Sequence, residues 1–173
     1  MGGEEMGVSS CGYTEEEFIQ VYKRYADTIF RLCYIYLKNQ ADAEDAVQSA
    51  FIKLMQSKKY FENEAHEKAW LIVTARNYCK DVLKCFWKVR RIDFEKLPEV
   101  SYMNENEGSE VLEKILALPE KYKTVLYLYY YEEYAVKEIA KLLKRNESTV
   151  QTQLVTARKK LKMDLEEGRR NEG

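Results

Sequence analysis

The sequence predicts an all-α protein made of two small helical domains joined by a flexible linker. Proline and glycine are scarce, with two and seven residues in 173, and apolar residues recur at the i, i+3, i+4 and i+7 spacing of one helix face. A polar stretch over 92–109 shows no helical period and contains Pro98 and Gly108, which predicts the linker. The expected boundaries are a disordered tail over 1–13, a first domain over 14–91, the linker, a second domain over 110–165 and a tail over 166–173.

The first domain is expected to contain three helices. Thr14 and Glu17 form a capping box ahead of an apolar stripe that predicts a helix of about six turns. Asn39 is suited to cap the second helix. A polar interruption over 57–67 predicts an ordered loop, and a third helix is expected over residues 68–89.

The predicted third helix carries a basic residue at every fourth position: Arg76, Lys80, Lys84 and Lys88. Four residues advance the helix by about 400°, so this row stays on one broad face. An ordinary solvated face would carry acidic partners for salt bridges, but only Asp81 is available within the row. The row therefore indicates a surface that contacts an anionic partner.

The second domain is expected to contain a short helix before Pro119 and then a helix that includes residues 126–131, LYLYYY. β-propensity alone favours a strand for this run, but the helical period that continues through it favours a helix whose tyrosines lie mostly in the core. Two further helical patterns meet across the polar break 144–146, and the second can start at Asn146 or Ser148. This order is that of a helix-turn-helix.

The last predicted helix has two properties that favour DNA binding over a plain helical hairpin. Its exposed positions carry short hydrogen-bonding side chains suited to base edges and phosphates, and its second half carries a basic cluster suited to the phosphate backbone. The polar residues are Ser148, Thr149, Gln151, Thr152 and Gln153, and the basic residues are Arg158, Lys159, Lys160 and Lys162.

The net charge of -1 hides a segregation of charge along the chain. Residues 14–91 carry 14 basic and 11 acidic groups, and residues 110–165 carry 11 and 8, whereas the linker carries 1 and 5. Two mildly basic domains therefore flank an acidic connector, and it is local fields that govern the approach of DNA.

Cysteine and histidine usage argues against a metal site, a cofactor or an enzyme. The four cysteines show no CxxC pairing and His66 is the only histidine, so no metal-ligand set or catalytic group is expected. Cys33 and Cys79 fall on apolar faces, which fits free thiols in a reducing cytoplasm. No apolar run approaches membrane-spanning length, so we expect a cytoplasmic protein without membrane insertion.

The order of these segments resembles an extracytoplasmic-function (ECF) sigma factor, the smallest type of the bacterial sigma-70 family. Residues 25–54 look like sigma regions 2.1 and 2.2, and residues 69–84 look like regions 2.3 and 2.4. Residues 118–143, with STV and ARKKL after them, look like region 4. Three segments in the family's order, separated by a short linker and without a region 3, make the resemblance specific.

The resemblance implies a non-enzymatic subunit that binds core RNA polymerase, recognises the -35 and -10 elements of promoter DNA and helps to open the duplex. It also implies an anti-sigma factor as a partner. By position, it assigns core polymerase binding to Asp42, Asp45, Gln48 and Phe51. It assigns -10 binding to Tyr60, Phe61, Arg76, Asn77, Lys80, Asp81, Lys84 and Lys88. It assigns -35 binding to Lys144, Arg145, Ser148, Thr149, Gln151, Thr152, Gln153, Arg158 and Lys159.

Two of these assignments have structural alternatives. Phe51 is equally suited to the core, and either Tyr60 or Phe61 is suited to loop packing in place of a base contact. The chain also departs from the family at the helix-turn-helix, where Lys144 replaces the usual glycine and Arg145 a common apolar residue. Gln151 and Gln153 stand where the family often has Lys or Arg; they lower electrostatic affinity and permit bidentate reading of adenine.

Two other functions remain open from the sequence. One is a helix-turn-helix regulator that binds duplex DNA without polymerase. The other is an interaction protein that has kept the sigma fold but no longer reads promoters, which the altered turn and the two glutamines suggest.

Overall fold

The computed structural model describes residues 12–57, 59–90 and 110–171, with side chains at 12–57, 59–86 and 114–162. These residues contain helices and no strand, which confirms the all-α prediction. The helices are α1 (Glu15–Leu37), α2 (Gln40–Gln56), α3 (Glu64–Arg90), α4 (Glu110–Ala117), α5 (Glu120–Tyr130), α6 (Val136–Leu143) and α7 (Glu147–Asn171). Among them, none has the length and apolar character needed to cross a membrane.

Local capping starts the first two helices where the sequence predicted. The Glu17 amide donates to Thr14 Oγ1 at 3.2 Å and the Thr14 amide donates to Glu17 Oε2 at 2.8 Å, which completes the capping box of α1. The Asp42 amide donates to Asn39 Oδ1 at 2.9 Å at the start of α2. These bonds satisfy amides that would otherwise lack an intrahelical partner.

Helices α1, α2 and α3 pack against one another as a three-helix bundle. Small residues on α2 allow close approach of its neighbours, since Ala43, Ala46 and Ala50 are fully buried. Leu32 of α1 and Leu71 of α3 are also fully buried in this core. Burial of one such side chain contributes about 1.5–3 kcal/mol, so the bundle is held mainly by its apolar interior.

Three expected boundaries differ in the structure. Tyr13 was assigned to a tail, but its hydroxyl donates to Glu67 Oε1 at 2.6 Å. Helix α3 begins at Glu64, four residues early, where the Asn63 side chain accepts from the His66 amide at 2.9 Å. Helix α7 continues to Asn171, into the expected tail. The remaining tail residues 1–11 and the linker 92–109 lie outside the described residues.

The second domain is built from α5, α6 and α7, with α4 packed on α7. The run 126–131 is helical up to Tyr130, as the apolar period predicted. Its tyrosines divide between two environments: Tyr127 is buried, whereas Tyr130 and Tyr131 are 54% and 59% exposed. The prediction that these tyrosines lie mostly in the core is therefore wrong for the last two, which stand at the end of the helix.

The two domains contact each other in this structure through α1 with α5 and α3 with α6. The Tyr127 hydroxyl lies 3.1 Å from the Thr28 carbonyl oxygen and 2.6 Å from Glu132 Oε1, so it donates to one of them at a time. Lys68 Nζ of α3 forms an ion pair with Glu132 Oε2 at 2.7 Å. The buried side chains of both domains belong to one continuous core.

Candidate functional site

Helix α2 presents an acidic and polar face to solvent. Asp45 and Gln48 are exposed and lie one turn apart, while Asp42 is half-buried at the start of the helix. Ile52 continues this face one turn further and is 50% exposed, although it is apolar. Ile52 was missed by sequence reasoning; its i+7 spacing from Asp45 is the signal that could have found it.

Phe51 does not belong to that face. Its side chain is 2% exposed, and its ring packs against Tyr22 and Phe18 of α1 with centroid distances of 4.8 and 6.2 Å. Of the two alternatives for Phe51, the structure places it in the core. An assignment of Phe51 to polymerase docking is therefore corrected, because a partner cannot reach the ring while α1 covers it.

The loop between α2 and α3 separates its two aromatic residues. The Tyr60 side chain is 90% exposed. Phe61 is half-buried and its ring contacts Trp70 at 5.8 Å and His66 at 5.6 Å. Lys59 Nζ lies 5.5 Å from the Trp70 ring centroid. The loop is therefore ordered by Phe61, and Tyr60 is the aromatic residue that is accessible to a base.

The basic row on α3 is only partly open. Asn77, Asp81 and Lys84 are exposed and Lys80 is half-buried, but Arg76 is 9% exposed. The expectation of one open basic face is therefore wrong at Arg76, since α3 packs against α6 of the second domain as well as against α1 and α2. The Lys88 side chain lies outside the described residues.

Lys84 and Asp81 form an exposed ion pair at 3.3 Å. Side chains so accessible to water gain little from such a pair, so Lys84 can exchange Asp81 for another anion at small cost.

Arg76 lies in a buried polar cluster at the domain junction. Four side-chain polar atoms are buried there: Tyr36 Oη, Arg76 Nε, Glu120 Oε1 and Thr124 Oγ1. Burial raises the pKa of the Tyr36 phenol. Burial also lowers the pKa of Lys80, and the nearby Arg76 and Arg145 lower it further while Glu120 opposes them.

The turn of the helix-turn-helix adopts a left-handed conformation at Lys144, with φ 52° and ψ 52°. The Arg145 amide donates to the Ala140 carbonyl at 2.9 Å and the Lys144 amide to the Lys141 carbonyl at 3.3 Å, which is the Schellman ending of a helix. Glycine adopts this conformation without the clash that a Cβ creates. Lys144 thus adopts the left-handed conformation that glycine would favour at this turn. Helix α7 begins at Glu147.

Arg145 is fixed across the turn by Gln153. Its guanidinium donates from Nη1 to Gln153 Oε1 at 2.9 Å, and both side chains are partly buried. Reading adenine with two bonds requires the amide oxygen to accept from the base. In this arrangement the oxygen of Gln153 already accepts from Arg145, so Gln151, which is exposed, is the glutamine available for that contact.

The outer face of α7 carries most of the remaining predicted residues. Thr152 donates from Oγ1 to the Ser148 carbonyl at 2.9 Å and is exposed. Val155 is 61% exposed on the same face and was missed, because its apolar side chain was not recognised on a polar surface. The other exposed residues of this region are Lys144, Ser148, Thr149, Gln151, Arg158 and Lys159.

Arg158 has an internal partner. Its Nε donates to Tyr130 Oη at 2.7 Å, and its guanidinium carbon lies 5.5 Å from the ring centroids of Tyr129 and Tyr130. This contact ties α7 to the end of α5. A phosphate contact by Arg158 would therefore use the guanidinium donors that Tyr130 leaves open.

Comparisons with known proteins match the two domains separately. The family model for Sigma-70 region 2 matches residues 21–88, and the model for Sigma-70, region 4 matches residues 109–161. RNA polymerase sigma factor SigV of Bacillus subtilis (strain 168) is 31% identical over 138 residues, which cover 79% of this chain and 83% of that protein. ECF RNA polymerase sigma factor SigW of the same strain is 29% identical over 168 residues, covering 87% and 90%.

A solved structure shares the arrangement of helices. The sigma factor RpoE from Bartonella quintana, solved in complex with the anti-sigma factor NepR, matches with a TM-score of 0.74 over 87% of this chain and 98% of that chain, at 19% identity. This likeness shows the fold. Together with the two region models and the curated relatives, it means that the chain belongs to the extracytoplasmic-function group of the sigma-70 family of RNA polymerase sigma factors.

Proposed function

We propose that this protein is a promoter-specificity subunit that binds core RNA polymerase, recognises the -35 and -10 elements and promotes opening of the duplex. The observation that carries the proposal is the presence of sigma regions 2 and 4 in one chain, each with exposed side chains of the kind that contact nucleic acid. This role needs no catalytic group, because binding energy for the opened strand drives the opening.

The -35 element is assigned to the outer face of α7. Thr149, Gln151 and Thr152 carry hydrogen-bonding groups that suit base edges and phosphates, and all three are exposed. Val155 adds an exposed apolar contact suited to the methyl group of thymine. Lys144 and Lys159, at the two ends of this face, are exposed and suited to phosphates.

The -10 element is assigned to the first domain. The exposed ring of Tyr60 offers a stacking surface for an unpaired base, and Asn77, Lys80 and Lys84 on α3 offer polar and cationic contacts to the strand. A base that stacks outside the duplex is bound only after it has unpaired. Such contacts favour the open state without ATP.

Core polymerase is assigned to the exposed α2 face of Asp45, Gln48 and Ile52. Two polar residues beside an apolar one suit a basic partner surface, since opposite charges steer the encounter and the apolar contact adds buried area. We also propose an anti-sigma factor as a second partner; the support for this partner is the family itself.

Transcription in vitro with bacterial core polymerase and a promoter library tests the proposed function. We expect start sites that share -35 and -10 sequences and that appear only when the protein is added. Asp45→Lys should abolish core binding at micromolar concentration, whereas Asp27→Lys, the same charge change at an exposed residue of α1, should leave it intact.

Other outcomes would identify the alternative functions. Core binding without promoter opening would indicate an interaction protein. Tight duplex binding that is insensitive to Asp45→Lys, with no core binding, would indicate a regulator that acts without polymerase. Either result rejects the proposed function.

A further inference from the structure

The hydrogen bond between Arg145 and Gln153 determines which way the Gln153 amide is turned. The oxygen and nitrogen of an amide have similar shapes, but a guanidinium carries donors and no acceptor, so the atom that faces Arg145 must be the oxygen. The distance from Arg145 Nη1 to Gln153 Oε1 is 2.9 Å. Because the donor is charged, this bond is about twice as strong as one between two neutral groups.

Arg145 is itself held in place at the turn. Its amide donates to the Ala140 carbonyl oxygen at 2.9 Å, which fixes the backbone from which the side chain extends. Both Arg145 and Gln153 are half-buried, so their bond is stronger than it would be in water. Gln153 therefore keeps its amide oxygen turned towards Arg145 before any DNA is bound.

Gln153 also lines an open groove of about 350 Å³ between the start of α5 and the outer face of α7. The groove is lined as well by Thr149 and Thr152 of α7 and by Lys121 and Tyr122 of α5. Thr149 lies one turn before Gln153 and Thr152 directly before it, and both threonines are exposed residues that the proposed function assigns to the -35 element. Gln153 thus lies where a contact with DNA bases is expected.

An amide whose oxygen is occupied offers DNA only the two N–H donors of its nitrogen. In the major groove guanine presents the acceptors O6 and N7 and thymine presents the acceptor O4, whereas adenine and cytosine present amino groups that donate. Recognition of adenine by two bonds needs the amide oxygen, which in Gln153 is bound by Arg145. Gln153 is therefore matched to a keto base, guanine or thymine, and mismatched to adenine.

We propose that Arg145 is a positioning residue that makes Gln153 specific for a keto base: with its oxygen bound by Arg145, Gln153 donates from Nε2 to guanine O6 or thymine O4 in the -35 element and discriminates against adenine. This role rests on the proposed function, which assigns the outer face of α7 to the -35 element. It differs from the role that a glutamine alone suggests, which is recognition of adenine by two bonds. Arg145 changes the base preference without contacting a base.

The test is selection of bound promoters, from a library in which the -35 element is randomised, by the full-length protein bound to core polymerase. The base preference that Gln153→Ala removes identifies the position that Gln153 contacts. In the wild type we expect guanine or thymine to be favoured over adenine at that position by about tenfold, the size of one good base contact. Arg145→Met releases the amide oxygen, so the preference should move to adenine at that position alone.

Lys144→Met is the matched control for Arg145→Met. It removes one positive charge from the neighbouring residue, which is exposed. Loss of a phosphate contact weakens binding to all sequences by a similar factor, so Lys144→Met should leave the base preference at the Gln153 position unchanged. A loss of stability in Arg145→Met would likewise not exchange one preferred base for another.

Gln153→Glu is a second variant that keeps the contact with Arg145, because a carboxylate also accepts from a guanidinium. The carboxylate has no N–H to donate, so the preference for a keto base should be replaced by one for cytosine, whose amino group donates. Circular dichroism checks that each variant is folded. If Arg145→Met is not folded, Arg145→Ala takes its place, and the wild-type preference together with Gln153→Glu still decides whether Gln153 recognises a keto base.

Three results would overturn the proposal. They are a wild-type preference for adenine at this position, an unchanged preference in a folded Arg145→Met variant, and equal weakening of all sequences by Gln153→Ala, as a phosphate contact predicts. Failure of the proposed function is a different result, since the wild-type protein with core polymerase would then select no -35 sequence at all.

Discussion

Adjacent aromatic residues in the α2–α3 loop have different environments and therefore different expected roles. Tyr60 projects into solvent, whereas Phe61 packs on Trp70. Tyr60→Ala should weaken binding of a single-stranded -10 oligonucleotide by about 1–3 kcal/mol, which is the contribution of one base stacked on an aromatic ring. The free energy of unfolding should not change.

Phe61→Ala is the matched comparison for Tyr60→Ala. It should destabilise the fold by about 2 kcal/mol in urea unfolding, since a half-buried ring is lost. Equal effects of the two variants on oligonucleotide binding would contradict the separation of roles.

Lys123 is expected to make the stability of the fold depend on pH. It is 3% exposed, and burial, followed by the charge of Lys38, lowers its pKa to about 8. Between about pH 8 and its ordinary pKa of 10.5 the unfolded state binds more protons at this site than the folded state does. Stability should therefore rise with pH through this window, by up to about 1.4 kcal/mol per unit.

The measurement is urea unfolding of wild type and Lys123→Met between pH 7 and 10. The upper limit avoids the tyrosines, whose raised folded pKa values lower stability once the unfolded phenols ionise near pH 10. The variant should be more stable at pH 7 and should lack the rise. If the stability of both proteins rises equally with pH, a group other than Lys123 causes the rise.

At the scale of the element, the helix-turn-helix tolerates lysine at a position suited to glycine. Lys144 has φ 52°, and the left-handed conformation costs a non-glycine residue about 1–2 kcal/mol. Lys144→Gly should raise the free energy of unfolding by about 0.5–1 kcal/mol, because the relief exceeds the entropy that glycine adds to the unfolded chain. Lys141→Gly, on the exposed side of α6, should lower it by about 1 kcal/mol; stabilisation by both would contradict this account of the turn.

The bond between Arg145 and Gln153 fixes how α7 follows the turn. If the 2.9 Å contact is made in solution, the effects of Arg145→Ala and Gln153→Ala on unfolding should be non-additive, with a coupling energy of about 0.5–1.5 kcal/mol. A double-mutant cycle in urea measures it, and strict additivity would show that the two side chains act independently.

Features set by neighbouring residues could be predicted from the sequence, and features set by distant ones could not. The caps at Thr14 and Asn39 depend on partners three residues away, and both were predicted correctly. The cap at Asn63 carries the same kind of signal, but the polar stretch after it favoured a loop. Burial of Arg76 is set by tertiary packing, and the contact between Thr28 and Tyr127 of the two domains joins residues 99 positions apart, beyond the reach of helical periodicity.

At the scale of the whole molecule, the two sigma regions share one core here, while their proposed targets lie on the order of 85 Å apart along DNA. Polymerase binding must therefore replace interdomain contacts with contacts to core and promoter. Each base that stacks on an aromatic side chain contributes about 1–3 kcal/mol to such binding.

The most direct test of promoter recognition at two elements is a hydroxyl-radical and permanganate footprint of the holoenzyme on a promoter recovered from the library. We predict simultaneous protection at -35 and -10 on the same DNA molecules, with permanganate-reactive, unpaired thymines confined to the -10 region and its downstream edge. Protection of only one element, or protection of both without unpaired thymines, would contradict the claim that this chain reads two elements and opens one of them.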